Sequence, residues 1–387
     1  MKLFSLANEE RVFVKKETVE GVLEYPGAAN AVLVTGAMGV GSEIEFIDDA
    51  QLRGGRSRLR PIKGRTHPGS WSMTTYAKPS GALGVVPETD VLFECLMGKK
   101  EINSGVSVVY SLDSSLNLPS FSLWVKKGHT VFALEGCTVN QAELNISGGE
   151  IVGVNWSGNF MQWYRGGYAL TTAIVATSAT TLTVDDATRF SGPNRMKISI
   201  GDDTNTGAGY TVTAINYTTK VITFSPGLVG AGEASGAVVQ GWVPATSTEV
   251  GSPIHGKITD VTIDTFPATL LSSRVSIVNN LKYYEDEMNG EWFANAYGTT
   301  GFRQIEGSLG LFFRKHVSTY FYKSEYQIQG ALLIKCGPSA GNFMEVSLPH
   351  IEYRTPTLSG DEEVLMDIPF IAVATAALDD EASITFK

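Results

Sequence analysis

Short runs in which apolar and polar residues alternate recur along most of the chain, separated by Gly, Asn, Asp and Pro. A period of two sends alternate side chains to opposite faces, so these runs predict strands. They fall at 121–126, 138–146, 151–160, 196–200, 210–215, 221–224, 258–263, 274–278, 308–313 and 343–347. Helical spacing occurs twice. In 87–97, Pro87 suits a first turn, Glu88 and Asp90 complement the helix dipole, Gly98 fits the stop, and Val91, Leu92, Cys95 and Leu96 share a face. In 316–328, Val317, Tyr320, Phe321 and Ile328 fall near one stripe. The pattern predicts a mainly β protein with two short helices.

The two helices sit in matching contexts, which points to an internal repeat. Glu45-Phe46-Ile47-Asp48-Asp49 resembles Ser276-Ile277-Val278-Asn279-Asn280, and Gly69-Ser70-Trp71-Ser72-Met73 resembles Gly307-Ser308-Leu309-Gly310-Leu311. A helix follows each. Leu123-Trp124-Val125-Lys126 then matches Leu332-Leu333-Ile334-Lys335, strands 131–144 and 343–353 follow, and Ser147-Gly148-Gly149-Glu150 matches Ser359-Gly360-Asp361-Glu362. The order is the same in both halves, at offsets of 209 to 238 residues. We therefore expect two tandem β-sandwich or barrel domains, 1–168 and 254–387, each with a flanking short helix. Between them, 169–253 is expected to be an inserted, surface-exposed all-β module. Its stretch 171–243 is rich in Thr, Ala, Gly and Val and holds only four Lys+Arg, and it reads as short strands and turns that form a small barrel or sandwich.

Composition narrows the function. The 387 residues hold 30 Lys+Arg and 40 Asp+Glu, a net charge of −10. That balance argues against a protein that grips nucleic acid, because phosphate binding needs surplus Lys and Arg. Hydrophobic residues make up 43%, enough for a real core. No apolar run approaches the ~20 residues of a membrane helix, and residues 1–10 lack the basic and apolar stretches of a secretory signal. Cys95, Cys137 and Cys336 are too few and too scattered for a disulfide scaffold or a zinc site.

Catalytic motifs are missing. Gly98-Lys99-Lys100 resembles the end of a phosphate loop, but position 93 is Phe and no Ser or Thr follows Lys99. The glycines at 36, 39 and 41 lack dinucleotide spacing, no Gly-x-Ser-x-Gly elbow occurs, and no two of the five His have metal-ligand spacing. No enzyme activity, metal or cofactor is expected. One charge cluster does stand out: Arg53, Arg56, Arg58, Arg60, Lys63 and Arg65 lie in a Gly- and Pro-containing stretch, read as a loop. The second half offers Glu285, Asp286, Glu287 and Glu291 in the equivalent loop. Unlike charges on the two halves suit a contact between subunits.

Several of these runs resemble the tail tube proteins of long-tailed bacteriophages, of the siphovirus type. The matching residues are Gly136-Cys137-Thr138-Val139-Asn140, Ala142-Glu143-Leu144 and the run from Gly149 to Gly158 in the first half. In the second half they are Val278-Asn279-Asn280-Leu281, Gly307-Ser308-Leu309, Val346-Ser347-Leu348-Pro349 and Met366-Asp367-Ile368-Pro369-Phe370-Ile371-Ala372. The resemblance implies tail-tube-type domains, six to a ring, whose inner strands join into one barrel and whose rings stack into a channel for genomic DNA. With two domains per chain, a homotrimeric pseudo-sixfold ring is expected. The implied partners are further copies of the chain, tail terminator, tape measure and baseplate or distal tail proteins, with double-stranded DNA in transient passage and no membrane. The implied location is the virion tail, with assembly in the host cytoplasm.

Lumen-facing strands are expected at 138–146, 151–160, 343–353 and 364–373, with Glu143, Asn145, Asn155, Glu345, Glu352 and Asp367 as candidate lining residues. Which phase of each strand faces inward stays open at this point. The long loops 54–70 and 286–301, with the charged residues named above, are expected to make contacts between rings or subunits. Two alternatives remain: the tube of a contractile injection or secretion system, and a multi-domain glycan-binding β protein. The charge is unevenly spread, with 16 Lys+Arg against 17 Asp+Glu in 1–168, 4 against 6 in 169–253, and 10 against 17 in 254–387. The acidity thus belongs mostly to the second half, and it suits DNA that passes without being held.

Overall fold

Alternation along the strands decides the architecture seen in the computed structural model, which describes residues 9–49, 60–114, 118–246, 251–264, 266–288, 290–314, 317–376 and 378–387. Arg53, Arg56, Arg58 and His316 lie outside these residues. The described chain is mainly β, with two α-helices, Asp90–Met97 and Thr319–Glu325. The first helix starts three residues later than expected, because 87–89 form a turn in which the Asp90 N–H donates to the Pro87 carbonyl at 3.1 Å. Gly98, at φ +96, ends it, and every residue from Leu92 to Met97 is buried. The second helix is shorter than its predicted stripe and buries no residue, and Ile328 is exposed. It is tethered instead by Lys323, which pairs with Asp264 and sits over the rings of Tyr320 and Tyr353.

The chain forms two compact units. One comprises Met1–Ala37, Ser120–Cys137 and Phe160–Thr248; the other comprises Met38–Pro119, Thr138–Asn159 and Glu249–Lys387. These divisions run along different lines from the boundaries at 168 and 253. In the first unit, Arg11–Lys16 pairs with Ala31–Val32 and Phe121–Lys127, and residues 130–137 of the long strand Thr130–Ser147 lie between Phe121–Lys127 and Gln162–Gly166. Phe13, Trp124, Val131 and Met196 are buried in its core. Two carboxylates are buried there. Glu17 accepts from Ser120 and Ser122 hydroxyls at 2.6 and 2.9 Å and from the Gly136 N–H at 2.9 Å. Glu135 accepts from the Tyr164 hydroxyl at 2.5 Å. Burial raises both carboxyls above their ordinary value, against these hydrogen bonds. The same unit holds a six-stranded sheet in the order Tyr168–Leu170, Val238–Gly241, Lys197–Ile200, Tyr210–Asn216, Val221–Ser225, Thr181–Thr183. It packs its own core, in which Tyr210 and Phe224 meet edge to face at 5.3 Å.

In the second unit one sheet runs from Gly39–Gly41 through Gly69–Tyr76, Gly153–Phe160, residues 138–147, Ser272–Val278 and Gln304–Phe312 to Leu365–Ala372 and Met344–Tyr353. Trp71, Trp156, Phe93 and Phe370 are fully buried behind it. Three strands of its neighbourhood escaped the sequence reading: Gly98–Asn103, Ser107–Leu112 and Ser383–Phe386. The segments expected as long loops also carry strands. Ile62–Thr66 pairs with Ile44–Ile47, and Ala296–Thr299 pairs with Leu281–Tyr284.

The pairing scheme occurs twice. Arg11–Lys16 pairs with Ala31–Val32 and Phe121–Lys127, as Thr259–Ile263 pairs with Phe266–Ala268 and Gln329–Cys336. Phe121–Lys127 pairs with Thr130–Ser147, as Gln329–Cys336 pairs with Met344–Tyr353. Each long strand then gives its other edge to two strands, Gly153–Phe160 and Gln162–Gly166 in one case, Leu365–Ala372 and Ser383–Phe386 in the other. Gly153–Phe160 leads on to Gly69–Tyr76 and Gly39–Gly41, and Leu365–Ala372 leads on to Gln304–Phe312 and Ser272–Val278. The irregularities match as well. Register slips between Leu134 and Cys137, and again between Leu348 and Ile351. It slips on the opposite edges between Val139 and Gln141, and between Tyr353 and Thr357. The equivalent of Ser272–Val278 is thus Gly39–Gly41; the sequence match of 45–49 with 276–280 pairs a hairpin strand with a sheet strand.

Close packing at the sheet makes one substitution decisive. A Cβ on Gly158 would lie 1.8 Å from the Thr138 carbonyl oxygen and 2.9 Å from Trp71 Nε1, whereas one on Gly149 meets nothing within 4 Å. Gly158→Ala is expected to lower unfolding stability by about 1–3 kcal/mol or more, and Gly149→Ala to leave it unchanged within error, both read by denaturant titration.

Candidate functional site

One face of the second unit's sheet is core; the other is polar. A single row of facing positions crosses it: Asn155 faces Glu143, Glu143 faces Ser276, Ser276 faces Glu306, Glu306 faces Ile371, and Ile371 faces Glu352. Thr74 extends the row, its hydroxyl donating to Asn155 Oδ1 at 2.9 Å. The adjacent row holds Asn145, Arg274, Ser308 and Pro369, and the next holds Ser272, Gly310 and Asp367. Apart from Ser276, no side chain in these rows is fully buried, while the alternate positions Leu144, Val154, Val275, Ile277, Leu309, Met366 and Ile368 are in the core. The sheet geometry therefore sets which alternate side chains are core and which stand on the polar face. All six candidates, Glu143, Asn145, Asn155, Glu345, Glu352 and Asp367, stand on the face away from the core.

Their charges are partly neutralised. Arg274, which the sequence reading missed, pairs with Glu143, and Asn145 Nδ2 donates to Glu143 Oε1 at 2.9 Å. Burial pushes the Glu143 carboxyl up, but these hydrogen bonds and the guanidinium outweigh it and hold the carboxyl below its ordinary value. Glu345 lies 3.7 Å from Lys335 Nζ and 3.3 Å from Lys387 Nζ. Small side chains such as Ser72, Ser157 and Ser308 fill much of the remaining face.

The seam between 141–147 and Ser272–Val278 joins the two sequence halves within this sheet. Asn279 locks it. Its buried Nδ2 donates to the Leu96 carbonyl at 3.0 Å and the Val139 carbonyl at 3.1 Å, and its backbone N–H donates to the Asn140 carbonyl at 2.8 Å. These contacts fall at the register shift between Val139 and Gln141 in the long strand.

At the far hairpins the basic and acidic segments meet within one chain. Arg65 pairs with Asp286 and lies 3.4 Å from Glu45, and His67 Nδ1 lies 2.9 Å from Glu285. Arg60, Lys63, Glu287 and Glu291 are exposed, as are the apolar side chains of Phe46, Ile47, Ile62 and Trp292. No group of three or more His, Cys, Asp or Glu among the described residues could hold a metal. The three cysteines are buried, and burial pushes the Cys336 thiol up to about 11.

A sheet that is core on one side and evenly polar on the other suits a wall facing water. Residues 7–197, about half of the chain, match the family model of phage tail tube proteins. The chain belongs to the phage tail tube family. It is a structural protein of the bacteriophage virion, located in the tail. No curated protein matches the chain. For this tail tube protein the match runs from the first strand of the first half into the six-stranded sheet, so it takes in most of the first pairing scheme described above.

The Glu143–Arg274 pair gives a pH test. A carboxyl lowered by folding adds stability that is present above its ordinary value of 4.5 and is lost as pH falls through its lowered native value. Because Arg274 is more than half exposed, the pair is worth at most about 1 kcal/mol. Arg274→Gln is expected to cost up to that amount at pH 7, with the gap to wild type closing as pH falls through the lowered native value of the Glu143 carboxyl, read by urea unfolding across pH.

Proposed function

We propose that three copies of this chain close into a pseudo-sixfold ring, and that the rings stack into the channel through which the phage genome leaves the virion. The observation that carries this is the polar row crossing both halves of the chain without a break at their seam. Each half supplies four strands to that sheet. Three chains would therefore close about 24 strands, well past the 16–18 at which a barrel opens an aqueous channel. The doubled pairing scheme supports a tandem duplication, and two tube domains per chain require three chains, not six, for a sixfold ring. The exposed hairpin tips, with Phe46, Ile47, Ile62 and the remaining charges of the basic and acidic segments, are suited to contacts between rings. Tail terminator, tape measure and baseplate proteins would meet the tube at its ends and interior.

The face suits passage without retention. Its cations are neutralised, Arg274 by Glu143 and Lys335 and Lys387 by Glu345, so DNA finds no excess of cations to bind. Glu352→Lys with Asp367→Lys puts two new cations per chain, six per ring, on the proposed wall. Tubes are expected to form normally by electron microscopy, while genome release triggered in vitro slows severalfold, most strongly at low salt. Wild-type release kinetics from tubes carrying both lysines would remove the face from the channel.

A further inference from the structure

We infer that rings close by sheet pairing between chains, with the segment 355–359 of one chain lying antiparallel to 39–43 of the next. This rests on the ring reading above and names the strands that make its joint. Within one chain, the halves are joined by one edge of the first long strand, 141–147, pairing with Ser272–Val278. The doubled scheme assigns each partner a counterpart. On the far side of the long strands, Glu143 faces Asn155 and Thr357 faces Asp367, each four residues past the last pair before a matching register slip, at Val139 and at Tyr353. Thr357 therefore stands where Glu143 does, and Leu358 where Leu144 does.

The other partner follows by the same steps. Thr74 bonds Asn155, and Gly310 faces Asp367, so Thr74 corresponds to Gly310 and Ser72 to Ser308, two residues away from the sequence match of 69–73 with 307–311. Gly39 faces Ser72, and Arg274 faces Ser308, so Gly39 corresponds to Arg274 and Gly41 to Ser276. Glu143 faces Ser276 inside the chain. Between chains, Thr357 then faces Gly41.

Both edges are open in a way that the internal seam is not. Among the described residues, Gly39–Gly41 pairs with Gly69–Tyr76, and Thr357–Ser359 pairs with Leu365–Ala372, each along one edge. Leu144, covered by the internal seam, is 7% exposed; its counterpart Leu358 is 50% exposed. An unpaired edge carrying a bare leucine is a template for another strand, and the complementary edge on a second copy is the one that the chain already uses internally. The hairpin Gly98–Asn103 with Ser107–Leu112, which also pairs with Ser383–Phe386, has no counterpart after the second helix. The joint between chains is thus the simpler of the two and the one that assembly can regulate.

Disulfide trapping in assembled tubes tests the joint. Two double variants place cysteines at facing positions, Thr357→Cys with Gly41→Cys and Thr355→Cys with Glu43→Cys; a Cβ on Gly41 meets only Ser70 Oγ, at 3.9 Å. Glu143→Cys with Ser276→Cys serves as the control for the internal seam. The native thiols are buried and give little background. Mild oxidation is expected to yield covalent dimers and closed trimers from the first two variants, and an in-chain bond from the control. If tubes form and the control closes while neither test pair cross-links, the joint is wrong and the tube reading stands. If wild-type protein forms no rings or tubes, both fail. If both test variants block assembly, the Thr357 to Gly41 separation in wild-type tubes decides: neighbouring-strand distance supports the joint, and any larger separation overturns it.

Discussion

The buried amide of Asn279 holds the point on which this sheet depends. It binds a helix carbonyl at Leu96 and the carbonyl of Val139, beside the register shift in the long strand. Leaving those two carbonyls without a partner would cost about 1–3 kcal/mol each. More important is what the bond aligns. It fixes the end of Ser272–Val278 against the long strand, where a slip of one residue would turn that strand's polar face toward the core.

Sheet edges are the second constraint. Each long strand is longer than any single neighbour, so it shares one edge between two shorter strands, and the register slip marks the handover. This device recurs in both halves with the same slips, which chance similarity among strands does not explain. It also leaves an edge at each end of the chain's sheet. In the proposed ring, each joint between neighbouring copies covers one edge of each.

Much of the fold was legible in the alternation. Strands at 138–146, 151–160 and 210–215 read true because one face is core and the other is polar, whereas 121–126, buried on both faces, stood out by its apolar and aromatic residues. The missed strands lack that contrast. Arg11–Lys16 reads as a short apolar run between charges, Ile62–Thr66 carries Lys and Arg in an exposed hairpin, and Ser383–Phe386 is only four residues long. Helical spacing at 316–328 was real but marked no buried face, since Lys323 and two tyrosines anchor that helix instead. The six lining candidates were found from polarity on alternate positions. Arg274 and Asn279 were not, because their importance comes from what stands opposite them across a seam between distant segments. The basic and acidic segments were read as complementary surfaces of different subunits; in the structure Arg65 and Asp286 meet inside one chain.

The central claim is that one chain supplies two of the six positions in a ring. Cryo-electron microscopy of tubes assembled from the purified protein measures this directly. The account predicts three chains per ring, with two kinds of joint alternating around the wall. Six chains per ring, or a wall built from one kind of joint, would contradict it.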